Sequence, residues 1–385
     1  MSLKNLKTLT SQEKRKTAKA FLERIEALHQ PGEQIRLMEV CGTHTVSIFR
    51  EGLRQLLPEG IELVSGPGCP VCVTDQEYMD KALTYAAQDD VIIATFGDML
   101  KVPGSHSSLS QAQAEGAHIH IIYTPLEILE LGRQHPDKKI IFLAIGFETT
   151  IAIIGATVKA VAQSGLKNVF FLVSHKLVPP ALRALLDSQE GHIDGFILPG
   201  HVSVIIGEKP YQFLADDYKI PSCIAGFEGV EILAAVENIL EQRKSGHFYV
   251  GNSYHSVVAK EGNPVAIAMM DEVYEVCDNT WRGIGTIPKS GLRLKGPYAQ
   301  LDVEKVHPIS IGDVAAVPNG CQCGRVLQGL VKPNECPLFG KACTPDHAVG
   351  ACMVSVEGSC AGISMVTPLA VSLGRNNGTN SLSSW

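Results

Sequence analysis

The sequence predicts an α/β fold with two parallel-sheet lobes around a central cleft and a smaller cysteine-rich domain at the C-terminus. Three observations lead to this prediction. Short β-rich runs alternate with segments of helical periodicity, the word GFE occurs twice between a strand and a helix (146–148 and 226–228), and six of the eleven cysteines lie within 321–360. Strands that alternate with helices favour parallel sheets covered by helices on both faces.

The elements follow one another in a regular order after a charged N-terminal helix. The predicted strands are IRLMEV, IELVSG, VIIATF, HIHIIY, KIIFLAIG, NVFFLVS, GFILPG and SCIAGF. The helices predicted between and after them are TVSIFREGLRQLL, DQEYMDKALTYAA, PLEILELGRQ, IIGATVKAVAQSG, PPALRALLDS and VEILAAVENILEQRKSG. Thr74, Asp75, Gln76 and Glu77 match a capping box, which marks the start of the second helix.

The character of the chain changes at residue 246, where glycine and proline separate the short β patterns VYEVCD, GIGTIP and VAAV before the cysteine cluster. We therefore expect one lobe in 1–122, a second in 123–245, a C-terminal domain in 246–370 and a flexible tail in 371–385. The tail ends in GRNNGTNSLSSW, a polar composition that does not support a packed core.

The amino-acid composition limits the kinds of partner and chemistry that we expect. The 385 residues are 45% hydrophobic, yet no apolar run approaches the roughly 20 residues that cross a bilayer, and the N-terminus has no apolar signal core. We expect a cytoplasmic protein without a membrane partner. The net charge of −7 and the lack of a basic cluster argue against nucleic acid. Because cytosolic thiols stay reduced, eleven cysteines indicate metal binding or redox chemistry.

Unusual residues recur where the predicted strands end, in EVCGTH, SGPGCPVC, TFGDMLKVPGS, GFETT, LPGHVS and GFEG. Ligands of open α/β sheets bind at the carboxyl ends of strands, so we expect these six loops to line one cleft. Cys41 would lie at the N-terminus of a helix that begins near Thr45, where the helix dipole stabilises a thiolate, and His44 could orient or share its ligand. The alternative is a buried structural cysteine beside a satisfied histidine.

Cys69 and Cys72 form a CxxC motif after a strand and before a capped helix, the context of a redox dithiol. Half of a zinc site is the competing interpretation, although no further ligands follow locally. The other polar residues of these loops could support acid/base or hydrolytic chemistry, or only local structure, and no GxSxG elbow is present. They are Asp98, Lys101, Glu148, Ser105, His201, Ser203 and Glu228.

The C-terminal cysteines are the strongest compositional signal. They are Cys321, Cys323, Cys336, Cys343, Cys352 and Cys360. Paired CxxC knuckles of a zinc site are missing, whereas six thiols fit an iron–sulfur cluster held by four, with two left over that could form a reducible disulfide. The alternative is a structural metal site with some cysteines that bind no metal.

The motifs MEVCGTH, GPGCPVCV, TFGDMLKVPG, GFETT, PGHVSVIIG, AGFE and CPLFGKAC, in this order across 38–360, closely resemble the HypD family of hydrogenase maturation proteins. The resemblance implies two α/β lobes, a cleft and a domain with a 4Fe-4S cluster similar to the site of ferredoxin:thioredoxin reductase. It also implies a scaffold for the Fe(CN)2CO fragment of nickel-iron hydrogenases, which works with HypC and receives cyanide from HypE, loaded by HypF from carbamoyl phosphate.

The resemblance assigns roles to individual cysteines. Cys41 resembles the thiol that holds the transient mononuclear iron, with His44 as its companion, while Cys69 and Cys72 resemble the redox-active thiols. The ligands of the cluster would be Cys323, Cys336, Cys343 and Cys360, which leaves Cys321 and Cys352 as a disulfide pair. In the reductase-like arrangement the first cysteine of a CxC can be the ligand, which would exchange Cys321 with Cys323.

The sequence thus favours a redox-active assembly scaffold, monomeric on its own, over a classical enzyme. Two alternatives differ from it in testable ways. A stand-alone iron–sulfur disulfide reductase would not need Cys41, and a structural zinc protein would be colourless even without oxygen.

Overall fold

In a computed structural model of the chain, the structure describes residues 6, 9–188, 190–315 and 320–372, without the side chains of 366–372. These residues form two β-sheets with helices on their faces. The strands are β1 (Ile35–Glu39), β2 (Ile61–Ser65), β3 (Val91–Thr95), β4 (Ile119–Ile121), β5 (Lys139–Gly146), β6 (Val169–Lys176), β7 (Gly195–Pro199), β8 (Ser222–Ala225), β9 (Val250–Asn252), β10 (Tyr274–Trp281) and β11 (Gly285–Leu294).

Helices connect most of the strands. The α-helices are α1 (Ser11–Leu28), α2 (Gly42–Arg50), α3 (Leu53–Leu56), α4 (Pro70–Val73), α5 (Gln76–Ala86), α6 (Leu109–Ala114), α7 (Glu127–Gln134), α8 (Glu148–Ser164), α9 (Val178–Ser188), α10 (Gly200–Ile206), α11 (Phe213–Asp216), α12 (Gly229–Ser245), α13 (Pro264–Val273), α14 (Val303–Val306), α15 (Cys323–Leu327) and α16 (Ser359–Ser372). Short 3₁₀ helices include Gly97–Lys101 and Ala351–Met353. None of the helices in the described part of the chain is both long and apolar enough to cross a bilayer.

The first sheet has five parallel strands in the order β2-β1-β7-β8-β9. Its strands are buried on both faces, as parallel strands between two layers must be. Leu37 and Ile197 face a core that they share with α1 and α12, while Met38 and Phe196 face the opposite way. This alternation explains why the strands are almost continuously apolar in sequence.

The second sheet has six strands in the order β10-β11-β6-β5-β3-β4. The strands β4, β3, β5 and β6 are parallel, and the hairpin β10–β11 extends the sheet in an antiparallel direction. Phe142 and Phe171 face a core that includes buried residues of α7 and α8, whereas Leu143 and Leu172 face the core that the two sheets share. The buried cysteines of the C-terminal region belong to this shared core.

The predicted α/β class with parallel sheets is confirmed, and all eight predicted strands are present. Two details differ. The N-cap of α5 is Asp75, which accepts the Tyr78 N–H at 2.9 Å, whereas Thr74 donates to the Pro70 carbonyl. The helix predicted to begin near Thr45 begins at Gly42.

The sheets draw on distant parts of the chain. Each sheet combines strands from 1–122 and 123–245, and the region 246–294 adds β9 to one sheet and β10–β11 to the other. The domain ranges themselves stay a prediction, as does the iron–sulfur character of the C-terminal region. The predicted flexible tail, apart from residues 371 and 372 in α16, lies outside the described residues, as do the last two residues of VAAV.

The order of strands reverses once in the parallel part of each sheet, and ligands of α/β proteins bind at such points. In the first sheet the reversal lies between β1 and β7, which lead into Cys41 and His201. In the second sheet it lies between β3 and β5, which lead into Asp98 and Glu148. The loops that carry these four residues therefore lie where ligands of α/β sheets bind.

Candidate functional site

Cys41 is the N-cap of α2, directly after β1. It is 8% exposed, and its backbone N–H donates to Glu39 Oε2 at 3.2 Å. Burial, followed by the carboxylate of Glu357, raises the pKa of the Cys41 thiol to about 12, although the N–H groups of Thr43 and His44 act in the opposite direction. The predicted position at a helix N-terminus is confirmed. The expectation of a stabilised thiolate is wrong, because desolvation outweighs the hydrogen bonds from the first turn of α2.

His44 lies in the first turn of α2 and is fully buried. Its Nε2 is 2.9 Å from the Gly226 carbonyl oxygen, so Nε2 carries the proton and donates. Burial lowers the pKa of His44 to about 4, which keeps the ring neutral. Nδ1 has no hydrogen-bond partner within the described residues, which leaves its lone pair available for a ligand.

An aromatic group surrounds His44 at the ends of β8 and β9. The Phe227 ring lies 4.8 Å from the His44 ring and stacks on the His201 ring at 3.9 Å, and Tyr254 contacts Phe227 edge-on. The loops that follow β1, β7, β8 and β9 therefore meet at one edge of the first sheet.

Cys69 and Cys72 form a disulfide across the first turn of α4. Both are buried, and the Cys72 N–H donates to Cys69 Sγ at 3.2 Å. The Gly68 carbonyl accepts the Gly42 N–H at 3.0 Å, and the Gly68 Cα packs so closely on the Cys41 backbone that a Cβ would overlap it. The disulfide loop and the Cys41 loop are thus direct neighbours.

Glu357 is a site residue that the sequence analysis missed. The Thr43 hydroxyl donates to its Oε1 at 2.9 Å, and the backbone of Glu357 packs against Gly42. Two residues earlier, the Ser355 hydroxyl donates to Asp98 Oδ2 at 2.8 Å. The segment before Cys360 therefore joins the Cys41 loop to the loop after β3. In the sequence, only the short distance from Glu357 to Cys360 pointed to a role for Glu357.

Glu148 and Tyr211, both from the region 123–245, are two buried residues close to the Cys41 loop. Glu148 is buried at the start of α8, where Oε1 accepts the Val178 N–H at 2.9 Å and burial raises the pKa of the carboxyl group to about 7. Burial, then Glu148, and to a smaller extent Cys41, raise the pKa of Tyr211 well above its ordinary value. The Tyr211 hydroxyl is thus within electrostatic range of both Glu148 and Cys41.

Five of the six C-terminal cysteines surround one small pocket. Its lining consists of Cys321, Cys323, Cys336, Cys343 and Cys360 with the apolar residues Val326, Leu338, Phe339 and Met353. Hydrogen bonds from the thiols of Cys321, Cys352 and Cys360 hold the pKa of Cys323 well below its usual range. The predicted cluster ligands are therefore brought together. Cys321 lines the same pocket as Cys323, so the choice between them stays open.

A pocket lined by five thiols and four apolar side chains fits the donor chemistry of an iron–sulfur cluster. Among the described residues, no group of three or more His, Cys, Asp or Glu is arranged to hold one metal ion. In an iron–sulfur cube each thiolate binds a different iron, so the sulfurs surround the cluster without converging on one ion. Thiolates in an apolar pocket match that chemistry. Cys321 and Cys352 are free thiols, and their predicted pairing stays a prediction.

The C-terminal cysteine-rich region packs against the helices of both N-terminal cysteine motifs. The 3₁₀ helix Ala351–Met353 contacts α4, and α16, which begins just before Cys360, contacts α2. Cys69, Cys72, Cys352 and Cys360 consequently lie in one continuous core.

The remaining polar candidates have structural contacts. Ser105 donates to Asp80 and accepts the Ala315 N–H, and Ser203 donates to the Pro199 carbonyl. Glu228 is the N-cap of α12 and pairs with Lys14 at 2.7 Å, while Lys101 is exposed. These contacts do not form the nucleophile and base pair that a hydrolase requires.

Residues 16–365 match the HypD protein family, described as the hydrogenase formation hypA family. A relative named hydrogenase maturation factor HypD from Rhodobacter capsulatus is 45% identical over 331 residues, which cover 85% of this chain and 88% of the relative. The protein of the same name from Escherichia coli is 41% identical over 341 residues, 88% of this chain and 91% of the relative. The hydrogenase expression/formation protein HupD of Azotobacter chroococcum is 40% identical over 352 residues, 90% and 93% of the two chains.

Proposed function

This chain belongs to the HypD family of hydrogenase maturation factors, and we propose that it is the scaffold, together with a HypC-type partner, on which the Fe(CN)2CO fragment of nickel-iron hydrogenases is assembled. The observation that carries the proposal is the packing of one cysteine-rich region against both the helix of Cys41 and the helix of the Cys69–Cys72 disulfide. The helix of an iron-binding thiol, a redox dithiol and a cluster pocket then meet at one cysteine-rich region.

The iron fragment is the cargo, and Cys41 is its anchoring ligand. A thiolate is a soft ligand for iron that carries cyanide and carbon monoxide. Because burial raises the pKa of Cys41 to about 12, the thiol gives up its proton only as the metal binds. His44, neutral and with a free Nδ1, is a second donor on the same helix turn. Its Nε2–H bond to Gly226 fixes the ring orientation.

Cys323, Cys336, Cys343 and Cys360 would hold a 4Fe-4S cluster. When bound, this group supplies single electrons for the redox steps of assembly. The disulfide of Cys69 and Cys72 accepts two electrons and two protons to give two thiols, and its surroundings in the core exclude bulk water. Reoxidation of the dithiol to the disulfide would return these two electrons and two protons for cyanide ligation to the iron on Cys41, with cyanide supplied by HypE after loading by HypF.

The test is to purify the chain anaerobically with its HypC-type partner and record infrared bands in the cyanide and carbonyl stretching region. Cys41→Ala should abolish these bands. Cys223→Ala, which removes a buried thiol in β8 of the first sheet, should keep them and serves as the matched control. Bands of wild-type intensity in Cys41→Ala would contradict the proposal.

A stand-alone iron–sulfur disulfide reductase is the second candidate. The contact between α4 and the helix of Cys352 favours it, because it places the disulfide beside the cysteine pocket without involving Cys41. In that case the loaded protein would reduce thiol substrates through Cys69 and Cys72, and Cys41→Ala would leave this activity unchanged.

A further inference from the structure

Arg282 occupies the turn between β10 and β11 and binds two motifs of the first lobe. Its backbone N–H donates to the Val73 carbonyl at 2.9 Å, and its Nε donates to the Thr74 carbonyl at 2.7 Å. Its Nη2 donates to the Pro103 carbonyl at 2.8 Å. One residue therefore joins the end of α4, directly after Cys72, to the loop that follows β3.

The same turn lies on the cysteine pocket. Gly283, at φ +74°, packs on Gly324 with no room for a Cβ, and Gln328 Nε2 donates to the Gly283 carbonyl at 3.0 Å. Gly324 is the second residue of α15, next to Cys323. The hairpin turn is thus held between the helix that carries the disulfide and the helix that carries a predicted cluster ligand.

The guanidinium group donates to backbone carbonyls rather than to a carboxylate. Burial lowers the pKa of Arg282, and the interactions that oppose this come from Cys323, then Asp75, Cys352 and Cys321. Three of these four groups are thiols of the cysteine cluster. A partly buried cation whose field is not cancelled by a bound carboxylate stabilises negative charge on nearby sulfur, because the local dielectric is low.

We propose that Arg282 is a positioning residue that holds the disulfide turn against the cysteine pocket and, through its charge, stabilises the reduced state of both. The inference rests on the proposed redox function of the two groups. Reduction of the cluster adds one electron, and the reduced Cys69–Cys72 pair adds negative charge when one of its thiols ionises, as a CxxC thiol at a helix N-terminus does. A fixed cation at this junction lowers the cost of both. The contribution of the charge can be separated from that of the hydrogen bonds, because lysine keeps the positive charge but lacks the planar set of guanidinium donors.

The test uses Arg282→Met and Arg282→Lys, with Arg325→Gln as the matched control, because Arg325 is an exposed arginine of α15. The metal-free full chain is equilibrated in dithiothreitol redox buffers, and the Cys69–Cys72 disulfide is quantified by differential alkylation and peptide mass spectrometry. In a second measurement the midpoint potential of the anaerobically loaded protein is followed optically.

We expect the equilibrium constant for reduction of the disulfide to fall at least tenfold in Arg282→Met, a shift of about 30 mV to more negative potential. The loaded protein should shift in the same direction. Arg282→Lys should stay within threefold of wild type, and Arg325→Gln should not change. If Arg282→Met fails to fold, Arg282→Gln, which can keep one carbonyl bond, should give the same tenfold fall.

Unchanged potentials in the uncharged variant would overturn the inference, and a lysine variant that behaves like methionine would overturn its electrostatic part. These outcomes are distinguishable from failure of the proposed function. That failure would appear as cyanide and carbonyl bands that persist in Cys41→Ala while the potentials still respond to Arg282.

Discussion

Glu148 offers a direct test of the electrostatics at the junction of the two lobes. The side chain is 2% exposed, Oε1 accepts one backbone N–H, and Oε2 has no partner within the described residues. Burial raises the pKa of its carboxyl group from the ordinary value of 4.5 to about 7. The folded protein therefore binds a proton at Glu148 under conditions in which the unfolded chain has already released it.

The sign and size of the effect on stability follow from proton linkage. Because the folded pKa is raised, the contribution of Glu148 is fully present below about pH 4.5 and is lost as the pH rises through about 7. The difference between the two pKa values corresponds to about 3 kcal/mol in the free energy of unfolding. Glu148→Gln keeps the size and the acceptor for Val178 but cannot ionise, so it should remove this part of the pH dependence.

The assay is urea unfolding of the metal-free protein at several pH values between 4.5 and 8, followed by circular dichroism. The difference in unfolding free energy between Glu148→Gln and wild type should change by about 2–3 kcal/mol across this range, in favour of the variant at pH 8. The unfolding free energy of both proteins will still decrease with pH because of Glu39, whose pKa is also raised by burial to about 7. Glu115→Gln controls for the loss of an exposed carboxylate, and parallel curves for Glu148→Gln and wild type would refute the reasoning.

Two further substitutions test the geometry around Cys41. Gly68→Ala should destabilise the protein by about 1–3 kcal/mol in urea unfolding, because the new Cβ would overlap the backbone of Cys41. The control is Gly312→Ala, whose Cβ would meet nothing within 4 Å and which should be nearly neutral. Equal stabilities of the two variants would contradict this contact. Glu357→Gln removes a carboxylate that raises the pKa of Cys41, so alkylation of Cys41 by iodoacetamide at pH 9 should become severalfold faster. An unchanged or slower rate would count against the role of Glu357, and Glu115→Gln is again the control.

The strands and helices were predictable from local patterns. In KIIFLAIG every position after Lys139 is apolar, because neighbouring residues such as Phe142 and Leu143 face different cores and a strand buried on both faces has no polar side. The helix starts were less predictable. Asp75 rather than Thr74 caps α5, since both residue types are good N-caps and only the backbone conformation decides between them.

The candidate site was predictable in its residue types but not in its environment. The sequence placed Cys41 at a helix N-terminus, which is correct, and from that alone a lowered pKa was the reasonable expectation. The raised pKa comes from burial and from Glu357, which is 316 positions away in the chain and reaches Cys41 only through the packing of α16 on α2. Desolvation depends on all surrounding atoms, so no local pattern encodes it.

By itself the sequence determined the fold class, the parallel strands, the motif loops at their carboxyl ends and the family, because these depend on periodicity and on residue types at fixed spacing. Only the tertiary structure decided which strands share a sheet, that the cysteine-rich region lies against both α2 and α4, and that Glu357 and Arg282 belong to the site. These are contacts between distant segments. They arise from packing two sheets around a common core, and neither residue carries a local signal of the contact it will make.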